Sequence, residues 1–94
     1  MKPQVATVIS PDGREVTAHP HDGKKFTLDE LQKFVGGNIE LVHLKPGHGH
    51  AEAYVNEEGK LEGLPRNEKA TAKVRLREGD YISGNLVIVV RSKR

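Results

Sequence analysis

The sequence predicts an α+β domain: a mainly antiparallel, curved β-sheet with one principal helix packed on it. Two observations carry this prediction. Short stretches of alternating or β-branched residues recur along the chain, each bounded by Gly, Pro, Asn or Asp. A single stretch, from Thr27 to Gly36, sets apolar residues at helical spacing between good start and stop signals. A chain of 94 residues fits one domain, read as residues 1–90 with 91–94 as a basic C-terminal tail.

The elements follow in order. "QVATVIS" carries Val5, Val8 and Ile9 and reads as a strand. "SPDGRE" is a turn, because Pro presets φ and Gly takes the left-handed position. "REVTAHP" alternates, with Val16 and Ala18 against Glu15 and Thr17, which completes a hairpin. In "FTLDELQKFVGG", Thr27 is a good N-cap and Glu30 stands at the capping-box position. Phe26 before the cap can pack on Leu31, and Leu28, Leu31, Phe34 and Val35 share one face. Asp29 and Lys33 pair on the outer side, and Gly36-Gly37 ends the helix. A helix this short does not persist alone and must dock on a sheet.

"NIELVHLK" alternates again, with Ile39, Leu41 and His43 on one face and Glu40, Val42 and Leu44 on the other. "AEAYVNEEG" resumes the pattern after "PGHGH", so the two stretches form a second hairpin with the histidines in its loop. A tight turn at Glu58-Gly59 follows, then a short segment ended by Pro65. Asn67 can cap a second short helix over about 67–73; equally, Val74 and Leu76 can open a strand. "REGDYISG" is a connector, and "NLVIVV" is β-branched enough for a central strand.

Composition narrows the function. There is no cysteine, which excludes disulfides, thiolate metal sites and a cysteine nucleophile. The start "MKPQVATVIS" lacks the apolar core of a signal peptide. The longest apolar run, Leu86 to Val90, is far short of the roughly 20 residues that span a bilayer. A soluble, cytoplasmic protein with no membrane partner is expected. Net charge is +2, from 15 basic and 13 acidic residues, which argues only weakly for nucleic acid. The basic residues that could serve it are Lys73, Arg75 and Arg77 in "AKVRLR" and Arg91, Lys93 and Arg94 in the tail. With two Phe, two Tyr and no Trp, little is available for base stacking.

Two His-x-His pairs invite a metal reading, His19/His21 and His48/His50, since alternate strand residues face one side. Both pairs sit among Pro, Gly and Asp, in loops whose side chains diverge. Asp22 or Glu52 as a further ligand is a guess. Solvated loop histidines are the better reading: no metal is assigned, and His48 and His50 stay as weak candidates. His43, on an apolar strand face, reads as a hydrogen-bonded packing residue. Catalytic motifs are missing: there is no GxSxG, HExxH or GxxxxGK[ST]. Glu57 and Glu58 are paired acids in a solvated turn, where perturbed pKa values are rare. No enzyme activity, catalytic residue or cofactor is expected.

Three motifs in order carry a resemblance: "LQKFVGG" (Leu31 to Gly37), "VNEEGKLEGLPRN" (Val55 to Asn67) with Ala70-Thr71, and "GDYISG" (Gly79 to Gly84). Over roughly residues 10 to 90, the chain resembles a family of small domains of unknown function encoded largely by bacteriophages, prophages and conjugative elements. The loop "KPGHGH" departs from that pattern. The resemblance implies a mobile-element accessory protein acting on host machinery or host defence, and it brings no catalytic residues to transfer. The glycines and Pro65 of the motifs shape turns. The polar remainder, Asn56, Lys60, Asn67, Thr71 and Asp80, either satisfies local backbone or forms a pocket for a ligand or partner.

The leading expectation is a non-catalytic binding module whose partner is a host protein or a small nucleotide-like ligand. A nucleic-acid-binding accessory protein is the alternative. A self-associating protein, pairing through "LVIVV" as a sheet edge, is the third reading.

Overall fold

The computed structural model describes residues 2–91. Its sheet contains β1 (Gln4–Ile9), β2 (Glu15–Ala18), β3 (Ile39–Val42), β4 (Glu52–Asn56) and β5 (Leu86–Arg91). The helices are α1 (Leu28–Val35) and α2 (Glu68–Lys73). The five strands run in the order β2-β1-β5-β4-β3, and every pairing is antiparallel. The predicted α+β class and both hairpins are therefore present, and the segment at 67–73 is a helix capped by Asn67.

"LVIVV" lies in the centre of the sheet, paired with β1 on one side and β4 on the other. Its β-branched side chains pack on both faces, as a central strand requires. The self-association reading lost its edge for that reason, because β5 has no free backbone side to offer.

The core has two halves, one on each face of the sheet. On one face Ala6, Val87 and Val89 pack with Phe26, Leu31 and Val35 of the α1 region. On the other, Ile9, Ala53, Val55 and Leu86 pack with Ala70 of α2, Val74 and Ile82. Strand alternation sorts the residues: Leu86 and Val87 are neighbours in sequence and lie in opposite halves. The second half is built by α2 and the connector after it, which sequence periodicity alone did not assign to a layer.

Helix α1 starts and stops as its residues dictate. Thr27 and Glu30 form the capping box, and Gly36 ends the helix at φ 80° with its N–H bonded to the Gln32 carbonyl at 2.8 Å. Asp29 and Lys33 pair at 3.3 Å. Two later side chains hold the helix C-terminus, where carbonyls lack intrahelical partners. Asn85 Nδ2 donates to the Phe34 carbonyl at 2.9 Å and Asn56 Nδ2 donates to the Val35 carbonyl at 3.2 Å.

Two expectations about the α1 face need correction. Leu28 is 59% exposed, because Phe26 folds under the helix instead, edge-on to Phe34 with ring centroids 5.7 Å apart. His43 is exposed rather than packed. Of its strand face, only Ile39 joins the α1 half of the core, while Leu41 is 53% exposed.

Candidate functional site

The stretch from Val55 to Asn67 builds a compact turn that is anchored from several sides. Glu57 N–H donates to the Asn38 carbonyl at 2.8 Å, Gly59 N–H to Asn56 at 3.2 Å and Leu64 N–H to Gly59 at 2.9 Å. Inside it, Asn56 is buried, accepts from Glu58 N–H at 2.8 Å and donates to Glu62 Oε1 at 3.1 Å. Gly59 explains itself by space: a Cβ there would lie 2.7 Å from the Ser83 carbonyl oxygen. Gly37 leaves room in the same way for the Asn56 side chain, which a Cβ would meet at 2.9 Å.

Asn67 is the hub of the second core half, at 0% exposure. Its Oδ1 caps α2 by accepting from Ala70 N–H at 2.9 Å. Its Nδ2 donates to the Ile9 carbonyl at 2.9 Å and the Gly84 carbonyl at 2.8 Å. Thr71 continues the relay: its hydroxyl donates to the Asn67 carbonyl at 2.7 Å and accepts from Ile82 N–H at 2.9 Å. These groups satisfy buried backbone, and each bond is worth more there than in water.

Lys60 and Asp80 meet elsewhere. Lys60 Nζ bonds Asp80 Oδ1, while Tyr81 N–H donates to the same oxygen at 2.8 Å. The Lys60 bond first, and then the backbone bond, hold the Asp80 carboxyl below the usual carboxylate range. Two cations approach the Tyr81 ring, Lys60 Nζ at 4.5 Å and Arg66 Cζ at 4.7 Å from its centroid. Arg66 is also paired with Glu68 at 2.8 Å.

Asn56, Lys60 and Asp80 line one open groove of about 480 Å³. Val42, Val55, Leu76 and Ile82 give it apolar surface, and the carboxylates Glu40, Glu57, Glu58 and Asp80 also line it, with Lys60 as the one basic lining residue. Leu61 stands in its lining at the tip of the turn, 86% exposed. Of the five residues singled out from the sequence, the fold brings these three to the groove, while Asn67 and Thr71 lie inside the scaffold behind it. Sequence reasoning missed Leu61 and Tyr81. The available signal was a lone leucine in the otherwise polar run "NEEGKLEG".

The other candidates are scattered. His48 and His50 line different depressions, the first with His43, Lys45 and Arg75, the second with Gln4, Glu52 and Arg91. His19 lies by Pro3 and Pro20, and His21 is exposed with its N–H bonded to Glu30 at 2.8 Å. Asp22 instead accepts from the N–H groups of Lys24 and Lys25, and Glu52 from the Tyr54 hydroxyl. Among the described residues, no group of three or more His, Cys, Asp or Glu side chains could hold a metal ion. Arg75 and Arg91 line separate depressions, and Lys73 lies near enough to Glu15 to lower that carboxyl's pKa, after Lys69. Lys93 and Arg94 lie outside the described residues. No described helix is long and apolar enough to cross a membrane.

Together these features define a small α+β domain with a polar, apolar-floored groove that Asn56 lines, and with Asn67 buried in the scaffold behind it. The chain belongs to a family of domains of unknown function: the model for "Domain of unknown function (DUF3846)" matches residues 1–94. No curated protein and no solved structure matches the chain.

Proposed function

We propose that this domain is a non-catalytic binding module, of phage or mobile-element type, that engages a host protein through the groove beside Leu61. The observation that carries the reading is a large apolar side chain held 86% exposed on a turn that the rest of the fold takes trouble to fix. Leu61 shares the groove's lining with the apolar Val42, Val55, Leu76 and Ile82, and the neighbouring Tyr81 and Arg66 are residue types enriched at the centres of protein contacts.

Within the same reading, a small nucleotide-like ligand is the less favoured occupant. The lining carries Glu40, Glu57, Glu58 and Asp80 against Lys60 alone, and Asp80 already engages that ammonium. Phosphate groups would meet net negative potential there. The nucleic-acid alternative is weakened by Glu52, a carboxylate that lines both the depression of Arg75 and that of Arg91, since phosphate tracking needs a continuous basic path. The action on a host protein would belong to host takeover or anti-defence.

Affinity capture from host lysate, run beside a thermal-shift screen of nucleotides, tests the proposal. The expected result is a captured protein that Leu61→Ala or Tyr81→Ala releases, with no nucleotide shift. A nucleotide shift without capture would replace the protein partner by a small ligand. The absence of both a captured protein and a nucleotide shift would sink the binding-module reading.

A further inference from the structure

The groove runs beside an open sheet edge, and the two together bear on what kind of partner fits. Glu57 N–H donates to the carbonyl of Asn38, the residue directly opposite, which sets the phase of the β3–β4 ladder. Backbone groups alternate in direction along an antiparallel pair. Those of Glu40 and Val42 therefore face β4, and those of Ile39 and Leu41 face away from it. The next outward group confirms the phase, since the His43 carbonyl accepts from Arg75 N–H at 2.7 Å.

That bond belongs to a short cover over the far end of the edge. Leu44 bridges Val74, and Lys45 N–H donates to the Lys73 carbonyl at 2.9 Å. The cover stops there. Among the described residues, no turn, loop or cap bond reaches the outward groups of Ile39 and Leu41. Nor does this strand carry the lysine or proline that commonly blunts an edge; it reads "IELV".

Resting on the reading of the groove as a contact surface, we propose that the partner presents an extended segment bearing lysine or arginine, which adds to β3 as the next strand. Its backbone would pair with Ile39 and Leu41. Alternate side chains would fall on the side of Glu40 and Val42, into the groove lined by Leu76 and Tyr81. Apolar groups among them would meet Val42 and Leu76, and basic ones the carboxylates Glu40, Glu57 and Glu58. The other sheet edge, β2, is less suited, because its Glu15 side chain is tied to Lys69 of α2.

The test titrates the isotope-labelled full chain with a peptide of about nine residues in which every second position is lysine or leucine in turn and the positions between are threonine, so that one face carries both types, and follows backbone amide shifts. The expected result is shifts at Ile39, Leu41, Leu61 and Tyr81, and binding weaker by about tenfold or more when a central proline removes a backbone donor. The glutamate–leucine counterpart should not bind. Absent binding, equal binding of both peptides, or shifts centred on β2 would overturn the inference. The paired charge reversal Glu57→Lys with Glu58→Lys, on the exposed turn, should abolish lysine–leucine binding. If the reversed chain still captures a host partner that Leu61→Ala loses, the partner class is wrong and the groove reading stands. If Leu61→Ala captures as wild type does, the groove reading itself fails.

Discussion

Asn67 has no polar side-chain atom left for a ligand, and that fixes what its loss should do. Asn67→Ala removes the α2 cap, leaves the Gly84 carbonyl without this donor in the core and takes one of two donors from the Ile9 carbonyl, which keeps its ladder partner Leu86. Losing a cap and leaving a buried acceptor unpaired should together cost about 3 kcal/mol, measurable as a lower urea midpoint at unchanged slope. Gly59→Ala should also destabilise, because its Cβ would sit 2.7 Å from a backbone oxygen that cannot swing away. The cap was legible in the sequence because asparagine is a favoured N-cap residue. It did not show the bond to Ile9, since nothing in local chemistry ties residues so far apart in the chain. Leu61 was overlooked for the converse reason: an apolar residue in a polar turn has no period to read.

Among the elements, α1 was the most legible, because its cap, stripe and stop are all local. Thr27→Ala should cost about 1 kcal/mol by thermal or urea unfolding, since it removes an N-cap acceptor. The misreadings of Leu28 and His43 share one cause. Periodicity says which residues share a face, but the reach of the covering element decides which of them are buried, and α1 leaves Leu41 and His43 uncovered. α2 was only half legible because Val74 and Leu76 carry both helix-end and strand signals. The structure uses Val74 in an isolated bridge to Leu44, and Arg75 N–H bonds to the β3 side, at the His43 carbonyl. Glu30 gives this element a pH signature. The Thr27 backbone bond first, then that of His21, hold its carboxyl below its ordinary value of 4.5. Its stabilisation is present above that value and is lost as pH falls through the lower folded-state pKa. Glu30→Gln keeps the capping-box geometry but cannot titrate, so melting midpoints of this variant should fall less steeply below about pH 4.5 than those of wild type.

Across the whole molecule, the sheet order decides which surfaces remain for partners. Placing β5 at the centre left β2 and β3 as edges, and the connector after α2 covers only part of β3. Strand order is set by long-range packing, which is why the sequence revealed the strands but pointed to the wrong edge. Charge is divided as well, with carboxylates around the groove and Lys45 and Arg75 in a separate depression. DNA or RNA binding, if measured at low salt, should therefore be weak and insensitive to changes in the groove. Duplex binding that Arg75→Ala and Arg91→Ala abolish together, with a steep salt dependence, would count against this reading. The proposed contact surface is the groove at Leu61, with the buried asparagines as its scaffold. Its most direct test is quantitative capture of a host partner by wild type and by Leu61→Ala, with melting midpoints for both. Capture by Leu61→Ala should fall about tenfold or more while the midpoints agree within about 2 °C. Equal capture by the two chains would contradict this assignment.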